Sequence, residues 1–426
     1  MKRTYWNPEI ETAPRERIRE VQTEKVRALV HRAYNNTVFY RKRLDGAGIK
    51  PQDIRTLEDF ERIPLTTYLE DFVGTPAEEK LAVPMSEVAC VVSTSGTISG
   101  SPQPVMLTAG DLDTWGELMA YRAVMQGIEK GDVVQAVFPT PSFVERAVWM
   151  CGATMVSAGP SAFSMDYTIK LMQNIKPTVL LSSPTLFMDF ERRALELGLD
   201  LRKAGLRSCT LLGESWSNAF RERVEKDRDT RFYDTYGLME MGVILGECQE
   251  RIGMHCLEHL FVLEIVDPET GKVLGPGQLG EIVVTPLWRE AMPSLRYRTG
   301  DMAQWLQYEP CGCGRTLART SRIKGRIGHM IRVGEARIFP ADVEEIIHAI
   351  PQLTGEYQIV IRKPGIQEAL EVRAEYHEGV SQLPALKSRL EKALEESTAA
   401  RSNFDLVPRG TIPPGLRIKA QRIVEA

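Results

Sequence analysis

"VVSTSGTISGSPQPVMLT" (Val91–Thr108) runs from apolar residues into a stretch where eight of nine positions, Ser93 to Ser101, are hydroxyl residues or glycine. Two readings follow. Ser/Gly-rich segments make flexible linkers. Glycines also let a backbone approach an anion, while successive N–H groups and hydroxyls donate to phosphate oxygens. The stretch is not a Walker A loop, because no Gly-Lys-Ser/Thr follows it. Alone it reads as a loop, so its neighbours must decide.

On either side, short apolar runs alternate with amphipathic segments. "RERIREVQTEKVRALVHRAYNN" places Val26, Leu29, Val30 and Ala33 on one face of a helix. Strands are expected at 87–92, 133–138, 153–158, 178–183, 208–213 and 231–236, with helical segments such as "AGDLDTWGELMAYRAVMQG" and "SNAFRERVEKD" between them. Strand–helix alternation predicts an α/β fold with a largely parallel sheet. From 258 the texture changes: "EHLFVLEIVDPETGKVLGPGQLGEIVVTPL" is two strands around Asp-, Pro- and Gly-rich turns. Beyond Gly325, helix, two strands and helix suggest a small α+β domain. The expected organisation is a large N-terminal domain, 1–325, with a β-rich part at 258–325, followed by a C-terminal domain, 326–426.

The chain has 426 residues, 43% hydrophobic and 26% charged, with a formal net charge of −4. That is ordinary globular composition with no basic excess, so neither a nucleic-acid nor a membrane partner is expected. The start, "MKRTYWNPEIETAPRERIRE", lacks the apolar core of a secretory signal, which makes the cytoplasm the expected compartment.

Three further stretches bear on the Ser/Gly loop. "DTYGLMEMG" holds Asp234, Tyr236, Gly237 and Glu240; "LRYRTGD" ends in Asp301; "SRIKGRIGHM" carries Arg326. In this order, with a small C-terminal domain after them, the motifs resemble those of the adenylate-forming superfamily. "YWNPEIETAPRERIREVQTEKVRALVHRAYNNTVFYRKRLDGAGI" and "IFPADVEEII" resemble phenylacetate–CoA ligase and its relatives in particular, and the resemblance covers nearly the whole chain.

The resemblance implies an adenylate-forming fold whose C-terminal domain moves as a lid. It implies two steps: a small carboxylic acid, aromatic by this likeness, attacks the α-phosphate of ATP, and coenzyme A then displaces AMP from the acyl-adenylate. Charge building on a transferring phosphoryl group calls for N–H donors, Mg²⁺ and a cation. By resemblance, Ser95, Gly96, Thr97 and Gly100 hold the phosphates and Glu240 holds Mg²⁺. Tyr236 lies against adenine, with Asp234 and Gly237 in the same motif, and Gly213 and Glu214 line the adenine and acyl pocket. Asp301 accepts both ribose hydroxyls. Arg326 sits near ribose or phosphate, and Lys419 matches a late lysine that enters for adenylation and leaves for thioester formation. Family members often form homodimers, and the same is implied here.

Seven cysteines in a long chain do not make a disulfide framework. Cys90, Cys151 and Cys209 fall in apolar stretches and read as small buried hydrophobes. Cys248, His255, Cys311 and Cys313 would make a closed Cys₃His site for structural Zn²⁺, with Cys256 and His259 as competing ligands. Some relatives carry similar cysteines here and bind zinc.

The chain also departs from the family's pattern. Met239 replaces a hydroxyl residue before Glu240, Ser101 stands where the loop lysine is common, and Gly328 and His329 replace two hinge carboxylates. Phe138, Phe143 and Trp149 either line an apolar acid pocket or belong to the core. Arg146 pairs either with a substrate carboxylate or with Glu145. Two other functions stay open: transfer of the acyl group to an amine or a carrier-protein thiol, and a non-catalytic acyl-nucleotide binder.

Overall fold

The computed structural model describes residues 4–94, 100, 102–138, 140–157, 164–361, 365, 367–412 and 422–425. They pack into two compact units. The first comprises residues up to Asp132, Thr140–Met155 and Tyr233–Arg322; the second comprises 133–139, 156–232 and 323–426.

In the first unit the helix Arg15–Asn36 buries Ile18, Gln22, Val26, Leu29, Val30 and Ala33. The four apolar positions read from the sequence therefore do face inward. They join Tyr40, Leu44, Ile54, Phe60, Ile63, Val262, Leu287 and Leu295 in one core, so the N-terminal helices are anchored on the β-rich part. The helix Ala109–Met125 starts with a reciprocal cap between Thr108 and Asp111, which satisfies donors that helical geometry leaves unpaired.

Two antiparallel ladders complete this unit. Phe261–Val266, Gly280–Pro286 and Tyr297–Ala303 pair in that order, as the turn-rich texture after 258 predicts. Arg231–Leu238 pairs with Gly242–Glu247, which pairs with Met254–Cys256, which pairs with Arg319–Thr320, each antiparallel. The strand Cys90–Ser93 forms an antiparallel hairpin with Pro104–Leu107. The expected parallel partner for this first strand is thus corrected: the Ser/Gly loop joins two hairpin arms. Cys90 is half-buried, while Cys151 and Cys209 are buried as expected.

In the second unit the parallel arrangement holds. Val133–Ala136, Val179–Ser182 and Ser208–Leu212 pair in parallel register. The helices Met165–Ile175 and Pro184–Glu196 contribute Ile169, Met172, Phe187 and Phe190 to the core against them. Further along, Ser402–Pro408, Leu370–Tyr376, Leu353–Ile361 and Ile423–Glu425 form a four-stranded sheet in that order. Pro340–Ala349 and Leu383–Thr398 supply Val343, Ile347, Leu386, Leu390 and Leu394 to its core. This is the expected small α+β arrangement.

Candidate functional site

The strand Arg231–Leu238 carries most of the motif "DTYGLME". Its pairing with Gly242–Glu247 shifts register between Tyr236 and Gly237. A Cβ at Gly237 would lie 2.6 Å from the Gly242 carbonyl oxygen, so only glycine permits this close approach. The chain then reverses, with the Met241 N–H donating to Leu238 O at 3.1 Å. Glu240 sits in this turn, half-buried, and its Oε1 accepts from the Tyr297 hydroxyl at 3.1 Å.

Asp301 lies on a bulge of the neighbouring sheet. Val283 pairs with Arg298 and Glu281 with Met302, so three residues on one strand oppose one on the other. Gly300, at φ +73°, takes the left-handed conformation this requires. Glu281 ties the bulge down, accepting from the Gly300 N–H at 3.0 Å and from Arg298 Nε at 2.8 Å. Asp301 is 4% exposed, and its Oδ2 accepts from the Tyr236 hydroxyl at 2.8 Å. Residues 65 positions apart in the sequence thus meet directly. Asp234, the third polar residue of the motif, accepts from Arg322 Nε at 2.9 Å, and its N–H donates to buried Glu247 at 2.8 Å.

In the second unit Gly213 adopts φ +89°. Glu214 accepts from the N–H and hydroxyl of Thr185 at 3.1 and 2.8 Å. Arg326 is half-buried at the end of the short strand Gly325–Arg326, before a 3₁₀ turn that exposes Gly328 and His329. Of the phosphate-loop candidates only Gly100 is described, at φ +71°. Ser95, Gly96, Thr97, Ser101 and Lys419 lie outside the described residues.

The cysteine cluster assembles as expected. The ligand atoms of Cys248, His255, Cys311 and Cys313 all lie within 4.8 Å of one another. Cys248 Sγ is 3.7 Å from Cys311 Sγ, and Cys313 Sγ is 3.5 Å from His255 Nε2. A tetrahedral ion about 2.3 Å from sulfur and about 2.0 Å from nitrogen needs edges of about 3.8 and about 3.5 Å. His255 Nδ1 meets Leu317 O at 3.1 Å, which fixes the ring so that Nε2 faces the thiols. The residues fit zinc. The competing ligands are placed elsewhere: His259 Nε2 meets the Tyr121 hydroxyl at 3.2 Å, and Cys256 is a buried thiol whose pKa is pushed up by desolvation.

The aromatic segment is resolved too. Phe143 stacks on Trp115 with ring centres 4.2 Å apart and is buried, while Trp149 is 59% exposed. Phe143 therefore belongs to the core. Arg146 pairs with Asp113 on the neighbouring helix at 2.5 Å, not with Glu145.

Sequence reasoning missed three residues around Glu240. Tyr297 was inside a quoted motif but carried no role. Lys80 and Arg289 share a cavity with Glu240. Their only sequence signal is a charge next to apolar residues, which does not tell a buried cation from a surface one.

The described helices include none long and apolar enough to cross a membrane. The AMP-binding enzyme family model matches residues 11–286, and the model of the AMP-binding enzyme C-terminal domain matches 336–426. The phenylacetate–coenzyme A ligase of Thermus thermophilus is 32% identical, over 99% of each chain. That of Escherichia coli is 31% identical over 87% of this chain and 85% of its own. Among solved structures, a 2-hydroxyisobutyryl-CoA ligase in complex with 2-HIB-AMP shares the fold, with a TM-score of 0.91 at 23% identity over 99% of this chain and 92% of that one. The motif order, the meeting of Tyr236 with Asp301 and this near full-length likeness lead to one conclusion: the chain belongs to the AMP-binding enzyme family, among the AMP-forming acid–CoA ligases that resemble phenylacetate–CoA ligase.

Proposed function

We propose that this chain activates a small aromatic carboxylic acid as its acyl-adenylate and passes the acyl group to coenzyme A. The observation that carries the reading is the pairing of Tyr236 with Asp301 in the same unit as Glu240, in a chain alignable end to end with phenylacetate–coenzyme A ligases.

In the first step a carboxylate oxygen of the acid attacks the α-phosphorus of ATP and pyrophosphate leaves. Asp301 offers its carboxylate to the two ribose hydroxyls, with Tyr236 orienting it and lying against adenine beside Asp234 and Gly237. Gly213 and Glu214 line the adenine and acyl pocket. Ser95, Gly96, Thr97 and Gly100 donate N–H and hydroxyl groups to the phosphates. Glu240 would hold Mg²⁺, which supplies charge neutralisation on the phosphates. Arg326 and Lys419 bring positive charge to the developing oxyanion. In the second step the thiol sulfur attacks the acyl carbonyl, and AMP leaves with the electron pair. Residues 326–426 act as the lid, carrying Lys419 in for the first step and out for the second.

We also infer that Cys248, His255, Cys311 and Cys313 hold structural Zn²⁺. A cytoplasmic setting and, carried over from the resemblance, a homodimer complete the reading.

The test is mass analysis of products formed from ATP and a panel of arylacetic and benzoic acids with CoA, hydroxylamine or an amine offered as acceptor. CoA thioester formed faster than hydroxamate or amide is the expected result. Products with amine and none with CoA would move the chain to the other acceptor class.

A further inference from the structure

The second unit joins two stretches that the sequence assigns to different domains. Residues 156–232 lie before the expected boundary at Gly325, yet they pack in one unit with the C-terminal residues that follow it. Each side keeps a hydrophobic core of its own. One holds Phe187, Phe220, Val224 and Phe232; the other holds Val343, Ile347, Leu353 and Leu390. The helix Asn218–Glu225 meets the C-terminal side through hydrogen bonds and one ring contact. Ser217 caps this helix from within, accepting from the Phe220 N–H at 3.0 Å. Two more N–H groups of the first turn go to a residue 126 positions away: Glu345, on the helix Pro340–Ala349, accepts from Asn218 at 2.8 Å and from Ala219 at 3.2 Å. A carboxylate there also meets the positive end of the helix dipole. In the last turn Arg223 forks across, donating to Leu353 O at 3.2 Å and to Thr354 O at 2.6 Å. Between these two contacts Phe220 meets the His348 ring edge-on, with centres 5.0 Å apart.

A polar join between two separate cores can open at little cost, because water satisfies the N–H and carbonyl groups that it releases. The position of the join says which step the closed form serves. The helix begins just after Gly213 and Glu214, and Glu214 is anchored on Thr185. On the C-terminal side Arg422, three positions after Lys419 in the sequence, donates to Glu356 at 3.0 Å and lies 4.5 Å from the centre of the Tyr357 ring. Glu214 is near enough to act electrostatically on both Arg422 and Tyr357. With the join closed, the strand Ile423–Glu425 and the arginine before it are therefore held close to the loop that carries Glu214.

The geometry points to Glu345 and Arg223 as positioning residues that latch the C-terminal domain onto the helix Asn218–Glu225 for adenylation, a latch that opens before the thiol attacks. Neither residue touches a reacting atom. They act by setting the fraction of chains in which the domain is seated, and with it the balance between the two steps. The assignment of the seated form to adenylation rests on the lid reading above.

The test measures the two half-reactions separately in Glu345→Gln and Arg223→Gln of the full chain, with deuterium uptake at the Asn218 and Ala219 amides as a readout that needs no catalysis. Acid-dependent adenylation should fall about tenfold in each variant, while transfer from a supplied acyl-adenylate to CoA stays level or rises. Arg223→Lys should recover part of the loss, since it keeps the charge without the fork. Deuterium uptake at both amides should quicken in Arg223→Gln as well as in Glu345→Gln, although Arg223 touches neither amide, because the latch opens as a unit. Thermal melting checks that each variant is folded; if one is not, the other carries the same expectation. An equal fall in both half-reactions, or a fall in transfer alone, would overturn the proposal, as would wild-type rates and wild-type amide protection in the folded variants. The two readings fail separately. Faster deuterium uptake in both variants of a chain that adenylates no acid keeps the latch and removes the function. Adenylation whose rate, balance with transfer and amide protection are all indifferent to the substitutions does the reverse.

Discussion

Asp301 is the residue on which nucleotide recognition turns in this account. It is buried, held on a bulge, and already engaged by Tyr236 at 2.8 Å. Asp301→Asn keeps the shape and removes the charge that would strengthen a hydrogen bond to each ribose hydroxyl. Such charge-assisted bonds contribute about 1.5–3 kcal/mol, so the KM for ATP should rise about tenfold to a hundredfold, with KM for the acid little changed, as read by initial rates of AMP formation. An unchanged KM for ATP would remove Asp301 from the ribose. Gly237→Ala acts differently. Its new Cβ meets Gly242 O at 2.6 Å, backbone against backbone, so the turn that carries Glu240 must shift. A loss of about 1–3 kcal/mol of stability is expected from the clash, measurable by denaturant unfolding.

At the scale of elements, the four-residue thiol and imidazole cluster joins a ladder to a turn. His255 lies on the strand Met254–Cys256, opposite Arg319 on Arg319–Thr320, and Cys311 and Cys313 occupy the turn before it. An ion there would tie the turn to the ladder and take no part in the chemistry. Protein purified without chelator should hold about one zinc per chain, and Cys313→Ser close to none, with melting lowered by several degrees while the folded variant keeps its adenylation activity. Metal analysis and a thermal scan read both. This cluster was legible in the sequence because Cys-x-Cys and a Cys…His pair are rare enough to be noticed together. The helix Arg15–Asn36 was legible for another reason, since its apolar spacing matches 3.6 residues per turn. The partner of Cys90–Ser93 was not, because alternation marks a strand without saying which strand it pairs with. Nor was the core position of Phe143, which depends on a stack with Trp115 from another helix. Tyr236, Glu240 and Asp301 were found only through motif order. Lys80 and Arg289 escaped because tertiary packing alone buries them.

For the whole molecule, acid should be destabilising through its buried imidazoles. Burial, with Lys25 and Arg122 nearby, lowers His259 to about 3. Burial first, then Arg223 and Arg422, lowers His348 as well. Both rings stay neutral in the fold, whereas the unfolded chain protonates them below about 6.5. Their contribution is complete above that pH and is lost as the pH falls toward the folded values. At pH 5 the loss for His259 is about 2 kcal/mol. Melting temperature should fall between pH 7 and 5, and His259→Gln should flatten that slope; an identical slope in the variant would contradict the assignment.

The lid proposed for residues 326–426 would also be a property of the whole chain, and Lys419 is the residue it would bring to the reaction. Lys419→Ala should abolish acyl-adenylate formation while leaving transfer from a supplied acyl-adenylate to CoA, because the lysine is proposed to act in the first step alone. Equal loss of both steps would mean that the substitution damages more than adenylation. The most direct test of the central claim is acid-dependent exchange of labelled pyrophosphate into ATP by the full chain with Mg²⁺. Exchange that depends on an added aromatic carboxylic acid is the expected result. Folded protein that exchanges with no acid in a broad panel would contradict it.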